Sequence, residues 1–244
     1  MTASPSSLLS TDALTMRFGG VTAVENVDFS IGPGELRCLI GPNGAGKSTF
    51  FKLLCGMLTP TSGSVRFDGR FISGLQRHEI ANAGIGIKTQ VPNLFQNLTV
   101  RQNLTIAARR NREGAPCADV VGDILDTFRL GPLADMLAAR LAHGQRQRVE
   151  IAMVVATSPR LILLDEPVAG LGDEETEHMA SLILELKKRA ALIVVDHDIR
   201  FIRMIGSQAT VFHRGAVLME GDIEAVLSDE TVRDVYLGRM SGHA

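Results

Sequence analysis

Short apolar runs rich in β-branched residues alternate along the chain with longer stretches whose apolar positions return every three or four residues. Strand-like runs at 161–164, 192–195, 210–213 and 216–219, separated by helical patterns over 173–190 and 199–205, predict an α/β fold with a mostly parallel sheet. The opening reads differently. Alternating segments at 13–18, 23–30 and 35–40, punctuated by Gly19-Gly20 and Gly32-Pro33-Gly34, predict a hairpin-rich antiparallel β subdomain. A helix is expected over 47–57, with strands at 64–67 and 85–89. Residues 100–157 are helical in pattern, broken at 114–116, 131–132 and 143–144, and read as an inserted helical subdomain. The expected organisation is one domain: a core from 10–90 and 158–222, helical residues 91–157, and a helical tail over 223–244.

Composition narrows the picture little. In 244 residues, 45% hydrophobic content is ample for a packed core, and the net charge of -2 points to neither a nucleic-acid nor a membrane-surface binder. Cys38, Cys55 and Cys117 are too irregularly spaced for a disulfide framework or a zinc site, which fits a reducing cytosol. No apolar run is long enough to span a membrane, and the first residues lack the pattern of a secretory signal. The Asn97 and Asn103 sequons are read as chance.

One motif changes everything. Gly41-Pro42-Asn43-Gly44-Ala45-Gly46-Lys47-Ser48-Thr49 follows an apolar strand and opens a helix, the context of a phosphate-binding P-loop. Its glycines let backbone N–H groups approach the phosphates, Lys47 reaches the β- and γ-phosphates, and Ser48 offers a hydroxyl to Mg2+ while Thr49 extends the anchoring. Such a site needs a second strand end beside the first, with an Asp for the metal and a base for the attacking water. The run Leu161-Ile162-Leu163-Leu164-Asp165-Glu166 supplies both: Asp165 for Mg2+ and Glu166 for the water.

Together with Gln90, the stretch Leu141-Ala142-His143-Gly144-Gln145 and His197, these motifs resemble the nucleotide-binding subunit of an ATP-binding cassette (ABC) transporter, from about residue 10 to 237. The resemblance implies further roles. Phe18 matches the aromatic that stacks on adenine, Gln90 the glutamine that contacts metal and water, and His197 the histidine at the γ-phosphate. Without it, 196–198 would be a polar strand end or a weak metal candidate. The family's usual LSGGQ signature is altered here: Ala142 has no hydroxyl, leaving the Gly144 backbone and the following helix N-terminus to hold a partner's γ-phosphate, so that a side chain at Gly144 would enter the docking place. Gly172 replaces the usual Asp, with Asp173 one step late.

The sequences at 93–104, 165–171 and 232–238 resemble ATPases of importers for branched-chain and other hydrophobic amino acids, including relatives carrying urea or short amides. Lipopolysaccharide-export ATPases are the alternative transporter. A small-molecule P-loop kinase has no use for the altered signature or for His197, and a soluble cassette acting on DNA or ribosomes would usually carry two cassettes or long insertions. The resemblance implies ATP and Mg2+ as ligands. It also implies a head-to-tail pairing with a second ATPase subunit or with itself, two permease subunits, an external solute-binding protein as indirect partner, no nucleic acid, and a place on the cytoplasmic face of the membrane. Residues 91–155 would then face the permeases.

Overall fold

A computed structural model describes residues 7–89, 94–111 and 114–236. In chain order these form β1 (Leu9–Phe18), β2 (Val21–Ile31), β3 (Leu36–Ile40), α1 (Lys47–Leu54), β4 (Ser62–Phe67), β5 (Arg70–Phe71), α2 (Arg77–Ala83) and β6 (Ile85–Lys88). The helices α3 (Val100–Ala108), α4 (Cys117–Thr127) and α5 (His143–Val155) follow. The chain then runs through β7 (Leu161–Asp165), α6 (Asp173–Leu186), β8 (Ala191–Val195), α7 (Ile199–Ile205), β9 (Gln208–His213) and β10 (Ala216–Asp222), and ends in α8 (Ile223–Ser228) and α9 (Glu230–Tyr236).

Two sheets result. The antiparallel one has the order β2-β1-β4-β5, and the six-stranded one the order β10-β9-β3-β8-β7-β6. The second is parallel apart from the β9–β10 hairpin. The segment grouped by sequence with the opening hairpins, 35–40, therefore belongs elsewhere: β3 sits between β8 and β9 in the larger sheet. Its run Leu-Arg-Cys-Leu-Ile is apolar on both faces, as a strand with cover on both sides must be. The spacing of two explains how. Leu36, Cys38 and Ile40 face the cluster built with α3 to α7, while Leu39 faces the cluster built with α1 and the antiparallel sheet. β7 and β8 divide in the same way, Ile162, Leu164, Leu192 and Val194 to one side and Leu161, Leu163, Ile193 and Val195 to the other. On the second side Phe50 of α1 lies between Phe29 and Phe212, with ring centroids 5.4 and 5.0 Å away, tying the helix after the P-loop to both sheets.

Several expected boundaries shift. The helix at 47 stops at Leu54 rather than 57, where Gly56 turns with φ +66°. The 100–157 stretch is less continuous than its pattern, with short 3₁₀ turns at Gly131–Leu133 and Ala138–Arg140 between α4 and α5. Asn103 is no surface sequon. It is fully buried in α3, its Oδ1 accepting from the Phe95 N–H at 2.8 Å and its Nδ2 donating to the carbonyls of Phe95 and Thr99 at 3.1 and 2.9 Å, so it fastens the approach to the helix. Leu94 packs against the core, whereas Phe95 is about half exposed. Among the described residues no helix is long and apolar enough to cross a membrane.

Candidate active site

The carboxyl ends of β3, β7 and β8 open on one side of the sheet, the crevice in which open α/β sheets hold ligands. Between β3 and α1 the P-loop turns on three glycines of positive φ: Gly41 (+140°), Gly44 (+78°) and Gly46 (+105°). Two of these are demanded by contact as well. A Cβ at Gly41 would strike the backbone of Phe212 in β9, and one at Gly46 would strike the Ala23 carbonyl of β2. The loop is thus wedged between the two sheets. A further tie comes from the β9–β10 turn, where the Gly215 N–H donates to the Ala45 carbonyl at 2.9 Å and the Gly215 carbonyl accepts from the Glu25 N–H at 2.8 Å.

A cleft of about 340 Å3 lies over the loop, lined by Asn43 to Thr49, Glu166, Asp196 and His197, with Val21 to Ala23 and Arg214-Gly215 on its rim. Inside it Lys47 is nearly buried, its Nζ donating to the carbonyls of Gly41 and Pro42 at 2.6 and 3.0 Å. Burial lowers its pKa, while Glu166 and Asp165 act to raise it. These carbonyls hold the ammonium at the mouth of the loop, where a phosphate oxygen would replace them.

Asp165 ends β7 and is buried. One of its oxygens, Oδ1, has no hydrogen-bond partner. Burial first, and Glu166 second, push its pKa from an ordinary 3.8 up to about 6. A buried carboxylate oxygen with nothing to bind fits a cation, and with the Ser48 hydroxyl on the cleft wall the donor set is hard oxygen, suited to Mg2+. Glu166 follows in the left-handed region, φ +46°, its N–H donating to the Val195 carbonyl at 2.8 Å. That bend turns successive carboxylates apart. Glu166 Oε1 lies 3.6 Å from His197 Nδ1, so the two groups assigned to water and γ-phosphate are neighbours.

The sign of the Asp165 shift makes a test. A carboxyl whose folded pKa exceeds its unfolded value costs stability as pH rises from about 4 to 6, by about 2–3 kcal/mol in all, and the cost persists above pH 6. Asp165→Asn is therefore expected to melt higher than the parent at pH 8 without ligand, with the gain shrinking toward zero at pH ~3.5, below the ordinary carboxyl pKa. An equal gain at both pH values in thermal melts would refute the assignment of that cost to Asp165.

Other sites predicted from sequence fall out as follows. Phe18 is exposed and pairs across the hairpin with Val21 of the cleft rim, though it does not itself line the cleft. Gln90 lies outside the described residues. None of Leu141 to Gln145 lines the cleft of its own chain. There α5 starts at His143, the Gln145 Oε1 accepting from the Ala142 N–H at 3.0 Å, and the His143 Nε2 lies 2.9 Å from the Ala169 carbonyl. The expectation for Gly144 needs correcting. It is buried, and a Cβ there would meet the Glu175 carboxylate of α6, so an added side chain would press into its own chain rather than into an open docking place. Asp173 opens α6 and is held by Arg200 at 2.8 Å.

Sequence reasoning undervalued Asp196. It is buried at the end of β8, its Oδ1 accepting from the His197 and Asp198 N–H groups at 2.8 and 3.0 Å and its Oδ2 without a partner. Arg214-Gly215 was also missed, although a Gly-containing turn between two strand runs marks a hairpin. Among the described residues no group of three His, Cys, Asp or Glu side chains is placed to hold a metal alone, which removes 196–198 as a self-contained metal site.

Comparison with known proteins places these features. A family model described as ABC transporter matches residues 24–169. The chain is 34% identical over 249 residues to the high-affinity branched-chain amino acid transport ATP-binding protein BraF of Pseudomonas aeruginosa, covering 95% of this chain and 98% of that protein. It is 32% identical over 235 residues to the lipopolysaccharide export system ATP-binding protein LptB of Haemophilus influenzae, again covering 95% and 98%. Among solved structures, the ADP conformation of MJ1267, an ATP-binding cassette of an ABC transporter, matches with a TM-score of 0.85 at 29% identity, covering 95% of this chain and 99% of that one.

Proposed function

The chain belongs to the ABC transporter family of ATP-binding proteins and is an ATPase, and from that premise we propose that it powers an importer for branched-chain or other hydrophobic amino acids, or for urea and short amides. The likeness to BraF along nearly the whole of both chains carries this reading. LptB, slightly less similar over the same share, supplies the export alternative.

The roles of the residues follow from their places. The P-loop from Gly41 to Thr49 wraps the phosphates with backbone N–H groups, and Lys47 exchanges its two carbonyl partners for phosphate oxygens. Ser48 and Asp165, with Gln90, hold Mg2+, which when bound neutralises charge on the β- and γ-phosphates. Glu166 takes the proton of the attacking water, and His197 beside it contacts the γ-phosphate. Phe18 stacks on the base from the hairpin rim. Because Leu141 to Gln145 lie away from their own cleft, they serve the ATP of a second cassette, identical or not, in a head-to-tail pair. Residues 91–155, within the helical part 91–157, form the side turned to two permeases, the core being 10–90 and 158–222 and the tail 223–244. The assembly sits at the cytoplasmic face of the membrane, fed by a solute-binding protein.

Deleting the gene is expected to abolish high-affinity uptake of radiolabelled leucine or urea, with restoration by the parent gene. Unchanged uptake of both solutes, together with lipopolysaccharide retained in the inner membrane, would move the chain to the export class.

A further inference from the structure

His143 stands where the usual LSGGQ signature has a glycine, and its ring makes a contact that no glycine could. It is the first residue of α5 and is exposed, yet its Nε2 lies 2.9 Å from the Ala169 carbonyl. A carbonyl only accepts, so Nε2 carries the proton and donates it. The ring also lies against Gly170, where an added Cβ would be 3.4 Å from Nε2 and 3.6 Å from Cδ2. Beside it, Gly144 sits against the Glu175 carboxylate of α6. The start of α5 is thus seated on the turn between β7 and α6 and on the first turn of α6 itself.

That turn is the one that leaves Glu166. The Ala169 N–H donates to the Glu166 carbonyl at 3.3 Å, so Ala169 is held by Glu166 on its amide side and by His143 on its carbonyl side. Glu166 needs such a hold. Its φ of +46° is a conformation that a glutamate rarely adopts and that persists only where neighbours enforce it. The Val195 carbonyl fixes the amide side of Glu166 at 2.8 Å. The carbonyl side depends on the longer bond from Ala169, and His143 supports that bond from behind.

We propose that His143 is a positioning residue for ATP hydrolysis: by holding the Ala169 carbonyl it keeps the Glu166 turn, and so the base, in place within its own chain. His143 does not line the cleft of that chain. In the head-to-tail pair proposed above, the signature serves the ATP of the second cassette. The same ring therefore ties the grip on one nucleotide to the base that acts on the other. The inference rests on Glu166 being that base.

The test is ATP turnover by the assembled transporter. His143→Ala removes the donor, His143→Asn keeps an amide too short to reach the carbonyl, and His143→Gln places an amide N–H near the position of Nε2. The side chain is exposed, so all three are expected to melt close to the parent. His143→Ala and His143→Asn are expected to lower maximal turnover about tenfold and to leave the half-saturating ATP concentration within about twofold, because a displaced base costs rate rather than binding. His143→Gln is expected to keep turnover within about threefold of the parent's. Added to Glu166→Gln, His143→Ala is expected to cost nothing further, since no base is left to position. Parental turnover in His143→Ala, or an equal loss in His143→Gln, overturns the proposal. So does a His143→Ala loss that multiplies that of Glu166→Gln, or that shows as a raised half-saturating ATP concentration; either places His143 at the partner's phosphate instead. The two readings fail distinguishably. Parental turnover in Glu166→Gln overturns the base assignment and the proposal with it, whereas impaired Glu166→Gln beside unimpaired His143→Ala overturns the proposal alone.

Discussion

Glu166→Gln is expected to lower ATP turnover of the assembled transporter about a hundredfold or more while nucleotide affinity stays near the parent's. The amide keeps the size of the carboxylate, and the backbone bend at 166, held by the N–H bond to Val195, does not depend on the side chain. What it loses is the base. A positioned general base is worth about two to four orders of magnitude, and Asp196, the other cleft carboxylate near His197, already accepts two backbone N–H groups on the oxygen nearest that ring. Slow hydrolysis leaves ATP between paired cassettes, so the variant should elute as a dimer in the presence of MgATP and as a smaller species without it. Near-parental turnover would transfer the base to another group, with His197 first in line.

Gly41→Ala is expected to cost about 3 kcal/mol or more of stability and to abolish ATP binding. Two costs coincide: a φ of +140° that side chains rarely adopt, and a Cβ placed against the main chain of Phe212, which cannot swing aside as a flexible side chain would. Gly44→Ala separates them. Gly44 also has positive φ, but open space surrounds its missing Cβ, so only the conformational cost of about 1 kcal/mol applies. Urea unfolding of both variants gives the answer, and a Gly41→Ala no less stable than Gly44→Ala would rule out the close approach of β9 as the reason for glycine there.

Local signals made much of this site legible. The P-loop declares itself because strand, glycines, Lys-Ser-Thr and helix are contiguous, and Asp165-Glu166 because an apolar strand ends in two carboxylates. The left-handed bend at Glu166 was not legible, since it depends on the Val195 carbonyl nearly thirty positions away in β8. Helix α2 was missed because it is short and apolar at few positions, yet Gln76 and Glu79 were a readable start, the Glu79 Oε2 accepting from the Gln76 N–H at 2.7 Å. The signature could be located from its residues, but where a side chain at Gly144 would point depended on the packing of α6.

The central place of β3 has a consequence for how the protein is made. Its residues 36–40 emerge early from the ribosome, but the strands that flank them, β8 and β9, are synthesised more than 150 positions later. Until then the P-loop strand has apolar side chains on both faces and unpaired backbone groups along both edges, the condition in which nascent chains associate wrongly. Nor can a growing chain bind nucleotide in its final manner, because Val195 to His197 and Gly215 complete the cleft. Polypeptides released before that point thus lack a finished nucleotide site, and the ribosome yields an ATPase only after the β9–β10 turn has been made.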